Sequence, residues 1–273
     1  RVLQAPTTTA CAGTSTATCG TAPLGGSWVC QSSLCVPAYT YPALHPVAYV
    51  AITDTTAVPR RTNVVAENCN SCHLRLELHG GGRNDAELCV MCHNSTWDTI
   101  NRMPVPLGST TRTHALTLSH FIHRVHTGEH GVTDATYWTP RPGGSPITSG
   151  GSVVDLNELR FPGDRRDCTT CHEDDGDAST PLIDIERLAT LRPSRTRDVT
   201  VTALTDTTRT TLATYWTPPV TDACTGCHDS PAAYTHAEAM TTMSGEESCA
   251  TCHAEGRDFG IDVVHARPEY DLR

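Results

Sequence analysis

Ten of the fourteen cysteines fall into five copies of one pattern: 69-CNSCH-73, 89-CVMCH-93, 168-CTTCH-172, 224-CTGCH-228 and 249-CATCH-253. With 14 Cys and 14 His among 273 residues, chance gives about 0.04 copies of C-x-x-C-H, so five are decisive. The pattern is the attachment site of c-type haem. Two thiols form thioethers with the haem vinyls, and the adjoining histidine supplies one axial nitrogen to iron. The spacing explains the residue types: cysteines three apart on a helical turn point to the same side, and the next residue is carried round to face the metal. Zinc sites need no histidine fixed beside the second cysteine. A thioredoxin-like pair is expected once, inside a βαβ pattern that is missing here. The thioether cysteines are therefore Cys69, Cys72, Cys89, Cys92, Cys168, Cys171, Cys224, Cys227, Cys249 and Cys252, and the proximal ligands His73, His93, His172, His228 and His253. The implied cofactor is haem c, five times.

Each iron has a second axial position. Nine histidines lie outside the motifs, whereas only four methionines are present and Met91 sits within a motif. The arithmetic favours bis-His irons of low potential. His123 and His126, three apart in HALTLSHFIHRVHT (114–127), sit close on one helix face but diverge, which suits two neighbouring irons. His79 precedes three glycines that let backbone approach a flat ring, and His236 and His265 follow soon after haem motifs. These five are the expected distal ligands; His45, His114, His120 and His130 are expected to serve other purposes.

The elements that must position these groups are short. Residues 114–127 read as a helix with Leu118, Phe121, Ile122 and Val125 as its apolar stripe and Gly128 as its stop. Residues 129–160 and 173–220 read as long connections rich in Gly, Pro, Asp and Thr. ATYWTP occurs at 135–140 and again at 213–218, placing Tyr137/Trp138 and Tyr215/Trp216 either against haem edges or as plain loop anchors. Cys11, Cys19, Cys30 and Cys35 all precede the first motif and read as disulfides of an exported chain. Of the three connectivities, short loop closure favours Cys11–Cys19 with Cys30–Cys35. A boundary is expected at 58/59, between a Thr/Pro-rich disulfide segment (1–58) and a haem domain (59–273). The fold class expected is a multihaem cytochrome c: mostly irregular, with short α-helices packed around five covalent haems and a small strand-containing N-terminal segment. Only 38% of residues are hydrophobic and three are Phe, so the haems must supply the apolar bulk that side chains lack.

Charge and hydropathy exclude other classes. The net charge is −10 and all twenty basic residues are Arg, so no basic cluster is available for phosphates and no nucleic-acid partner is expected. The best apolar run, 46-PVAYVAI-52, is far too short to cross a bilayer. No export signal is recognisable at the N-terminus, although haem attachment and disulfides both call for a non-cytoplasmic setting. Acidic 173-EDDGD-177 lacks the distal Glu of a calcium loop, and Asn94-Ser95-Thr96 matches a glycosylation acceptor only formally.

The sequence resembles the OmcA/MtrC family of outer-membrane multihaem cytochromes. The resemblance rests on 60-RRTNVVAENCNSCHLRLELHGGGRNDAELCVMCHN-94, the paired-histidine stretch 121-FIHRVHTGE-129, 161-FPGDRRDCTTCH-172, 222-DACTGCHDS-230, 234-YTHAEAM-240 and the closing CATCHAEG with VVH. It covers about residues 59–267 and implies the same distal ligands: His79, His123, His126, His236 and His265. It also implies an extracellular or outer-membrane-surface location and a chain of haems with one side branch, by motif order the haem on Cys89, Cys92 and His93. Family members usually carry two pentahaem halves beside strand-rich barrels; this chain has one, and 1–58 is short for a barrel.

The expected function is electron transfer through five bis-His haems to metal oxides, shuttles or other cytochromes. Two rivals are a pentahaem reductase with one open iron and a head-to-tail filament of copies of this chain, with His45 as a strap on the neighbour. A nitrite reductase of the pentahaem type places Lys at its catalytic haem, and this chain has no Lys.

Overall fold

A computed structural model describes residues 9–12, 19, 27–38, 47–59, 63–79, 83–100, 105, 107–132, 136–139, 152–173, 183–201 and 209–265. His45, the glycines at 80–82 and most of the acidic turn at 173–177 lie outside the described residues. The chain forms two compact units, Arg1–Pro59 with Ala66–Leu88, and Arg60–Val65 with Cys89–Arg273.

In the first unit, β1 (Ser27–Gln31) and β2 (Leu34–Ala38) form an antiparallel hairpin. Its two-residue turn, Ser32-Ser33, has positive φ at both positions, the twist that two-residue hairpins favour. Residues 9–11 run alongside β2: Cys11 N donates to Ser33 O and Cys35 N to Thr9 O, both at 3.0 Å. The disulfides are Cys11–Cys30 and Cys19–Cys35, not the short-loop pairs. The hairpin ladder already holds Cys30 opposite Cys35, so a bond between them would close a loop that backbone hydrogen bonds have closed. The links observed span 19 and 16 residues and tie otherwise loose upstream segments to the hairpin, each worth about 3 kcal/mol by loop entropy. Trp28, two residues before Cys30 and on the same strand face, packs with Cys11, Cys19 and Cys35 in a small buried cluster. The unit also holds α1 (Ala66–His73) and the start of α2 (Ala86–Cys92).

The second unit contains a three-stranded antiparallel sheet in the order β3 (Thr110–Arg112), β6 (Ser194–Thr200), β7 (Thr210–Thr217), and a hairpin of β4 (Thr136–Thr139) with β5 (Ser152–Asp155). The segment 173–220, expected as an irregular connection, thus holds α4 (Ile185–Leu188) and two strands. These strands are built from Thr, Arg and aromatics rather than alternating aliphatics, which hides their period. Thr136–Thr139 of the first ATYWTP copy and 213–217 of the second are strand. Tyr215 donates to Asp198 Oδ2 at 2.8 Å and carries the Arg112 guanidinium 3.8 Å over its ring, so it anchors the sheet.

The central helix, α3 (Leu118–Thr127), starts four residues later than the sequence pattern suggests. Asp98 and Ala115 form an antiparallel bridge, Leu116 N donates to Trp97 O, and Thr117 caps the helix by accepting from His120 N. Extended pairing thus holds 113–116, and the cap lies where pairing ends. Gly128 stops the helix as expected, with φ +50 and no room for a side chain: a Cβ would lie 2.0 Å from Leu159 O. Four short helices complete the unit: α5 (Pro219–Cys224), α6 (Pro231–Ala239), α7 (Ala250–His253) and α8 (Ile261–Val264).

Candidate haem-binding site

Flanking structure differs at every motif: within α1, at the end of α2, in a 3-10 turn at Cys168–Thr170, at the end of α5, and in α7. The motifs themselves nevertheless share one local turn. The histidine N–H donates to the carbonyl of the first cysteine in His93, His172, His228 and His253, at 2.8–2.9 Å. That single helical turn places both thiols and the ring along one side. All ten motif cysteines are outside disulfides, as thioether formation requires. Burial, and after it the charge of Cys227, pushes the Cys168 thiol up, and burial followed by Cys249 pushes Cys224 up to about 12. The thiols of motifs three and four, and of motifs four and five, are thus near enough to interact electrostatically.

Three pairs of histidine rings face each other across a gap. His123 and His172 have centroids 6.1 Å apart, His228 and His265 5.9 Å, and His236 and His253 6.2 Å. Two imidazoles on opposite sides of one metal, each with a metal–nitrogen distance of about 2.0–2.1 Å, put their centroids about 6.3 Å apart. Each pair joins one motif histidine with one of the distal candidates. The rings are also oriented for it: His123 Nδ1 donates to Ala223 O, His253 Nδ1 to Phe259 O, His265 Nδ1 to Ile261 O and His126 Nδ1 to Ile122 O. A carbonyl on Nδ1 fixes the tautomer that leaves Nε2 as a ligand. Burial, and secondly His123, pushes His172 down to about 4. Burial also lowers His123 and His265, against the upward pull of their carbonyl partners. Neutral rings are what a metal requires.

The second motif has its own surroundings. His93 Nδ1 donates to Leu116 O at 3.2 Å, and its ring stacks on Phe121 and tilts against Trp97, with centroids 5.1 and 5.0 Å away. Behind Trp97, Asp98 is fully buried and accepts two 2.7 Å hydrogen bonds from Arg197.

Among the other histidines, His120 is buried, with Nδ1 donating to Asp222 O at 2.9 Å. His130 is surface-exposed beside Glu129, and His114 is held through its backbone to Thr99. His79 has positive φ, in the turn closed by the Leu78–Arg83 bridge. The position of α3 inverts the usual amphipathic logic. Its buried residues are His120, Arg124 and Thr127, whereas the apolar stripe, Leu118, Phe121, Ile122 and Val125, is only half-buried. The polar face packs on protein, whereas the apolar face stays half-buried, with Phe121 against Leu116 and the ring of His93. Buried apolar side chains in this unit are few among the described residues, chiefly Leu116, Ile185, Val199, Val201 and Val220. The residues present fit covalently held haem.

Residues 61–266 match the family model for outer membrane cytochromes, MtrC/MtrF-like, domains II/IV. The chain belongs to this family. It is also similar to the crystal structure of the outer membrane decaheme cytochrome OmcA, at 21% identity over 78% of this chain and 25% of that one, with a TM-score of 0.41. The chain thus spans about a quarter of the length of that relative. No curated protein matches. This member of the MtrC/MtrF-like family has no helix among its described residues long and apolar enough to cross a membrane.

Proposed function

We propose that the chain binds five c-type haems, each with two histidines, and moves electrons along them at the outer-membrane surface or outside the cell. The observation that carries the reading is the set of three facing histidine pairs. In this reading His172 pairs with His123, His228 with His265 and His253 with His236, and His79 and His126 serve the haems on His73 and His93. Haem iron, once bound, supplies the one-electron Fe(III)/Fe(II) exchange. The protein attaches each ring through two cysteines, fixes the tautomers of His123, His253 and His265 through backbone carbonyls, and brings the third, fourth and fifth motifs near one another, which keeps electron steps short. Acceptors are metal oxides, soluble shuttles or other multihaem cytochromes. Copies of this chain stacked head to tail form one version of that partnership, which electron micrographs showing only isolated particles at high concentration would exclude.

The test is low-temperature EPR of the fully oxidised protein, with haem counted from the pyridine haemochrome. Five haems per chain, all low-spin, are expected. A stoichiometric high-spin signal would instead favour a reductase with one open iron.

A further inference from the structure

Gly226 lies inside the fourth attachment motif, yet what surrounds it belongs to the ligand of the third haem. A Cβ built at this position falls 2.7 Å from His123 Cβ, 2.8 Å from His120 O and 3.3 Å from Arg124 N. Two of these three are backbone atoms of α3, so no flexible side chain gives way. Backbone conformation does not demand glycine here, because Gly226 is not among the positive-φ residues. Haem attachment does not demand it either: the equivalent positions in the other four motifs are Ser71, Met91, Thr170 and Thr251.

The same turn grips α3 by hydrogen bonds. The Thr127 hydroxyl shares its one hydrogen between His123 O, at 2.8 Å, and Gly226 O, at 3.2 Å. The ring of His123 donates to Ala223 O at 3.1 Å. Backbone and ring of His123 are therefore both referenced to residues 223–226, while the ring faces His172 with centroids 6.1 Å apart.

We infer that Gly226 is a positioning residue for the haem on Cys168 and Cys171: its missing side chain lets α3 settle onto the fourth motif at the depth that sets His123 against His172. The inference rests on the bis-His reading above. Ordinary carbon–carbon contact is about 3.5–4.0 Å, so a methyl group at 226 pushes α3 back by roughly 1 Å. Metal–nitrogen distances tolerate only about 0.2 Å. A substitution in one haem's motif thus perturbs a different haem.

The experiment compares Gly226→Ala with wild type by EPR of the oxidised protein, again with haem counted. His123→Ala and His265→Ala identify the low-spin signals of the third and fourth haems. Gly226→Ala is expected to keep five haems, to shift or deplete the His123-dependent signal and to leave the His265-dependent one. Met91→Ala, at the equivalent and exposed position of the second motif, should leave both signals in place. Thr127→Val removes the hydroxyl ties without adding bulk and should move the His123-dependent signal by less. If Gly226→Ala yields no folded protein, Thr127→Val decides alone. A His123-dependent signal unchanged in the folded variants, or a change confined to the His265-dependent signal, overturns the inference. Fewer than five low-spin haems in wild type would overturn the proposed function, and this inference with it, before any variant is made.

Discussion

Among the described histidines, some rings face another histidine ring and others serve the protein itself. His120 is of the second kind, buried against Asp222 and joining α3 to α5. His120→Ala should lower the denaturant midpoint by the equivalent of about 2 kcal/mol, through a lost buried hydrogen bond and a cavity, while all haem signals persist. His172 is of the first kind, and its pKa of about 4 sets a pH window. An unfolded histidine takes up its proton near 6.5, so acid favours states in which His172 is released. The sign follows: this pair's stability falls as pH drops below about 6.5 and levels off below about 4. In the haem-loaded protein iron on Nε2 competes with the proton and moves this interval further down, so a pH titration of the oxidised absorption spectrum should show low-spin character held at neutral pH and lost only in acid.

Elements are positioned here by buried polar contacts more than by apolar packing. Asp98 is buried with two guanidinium groups on it: Arg197 at 2.7 Å and Arg195 at 3.4 Å. Together they fasten β6 to the loop behind Trp97 and so to the surroundings of His93. Asp98→Asn should cost about 1.5–3 kcal/mol in a denaturation curve, since it breaks charge-assisted hydrogen bonds to guanidinium groups that are only 19% and 29% exposed. Arg112→Ala removes a similar-looking bridge to Asp198, but its side chain is 56% exposed, and the cost should stay under about 1 kcal/mol. The stop of α3 was legible in the sequence because glycine with positive φ is a local requirement. The start was not, because Thr117 becomes a cap only once 113–116 are paired elsewhere. The strands of 194–217 stayed hidden for a related reason. Their inward positions include Ser194 and Thr196, and burial there is decided by what the sheet packs on, not by hydrophobicity along the chain.

Over the whole molecule, only 38% of residues are hydrophobic and three are Phe, and in the proposed reading haem supplies the missing core. A chain with serine at all ten motif cysteines should therefore show no cooperative thermal transition by circular dichroism, whereas reducing Cys11–Cys30 and Cys19–Cys35 should leave all five thioether-linked haems attached. Sequence alone determined the attachment chemistry, since C-x-x-C-H is a covalent pattern whose spacing carries its own geometry, and the surplus of histidine over methionine pointed to the axial ligands. Those are short-range properties of a few consecutive residues. The three facing histidine pairs, the disulfide connectivity and the close seat of Gly226 against α3 emerge only in the tertiary structure. His123 meets His172 at a sequence separation of 49 (172 − 123), and Cys11 passes over Cys19 to reach Cys30. Such choices depend on which segments are already held side by side when the contact forms. Loop length counts only the chain between two residues, and it is blind to the strands and helices that bring them together.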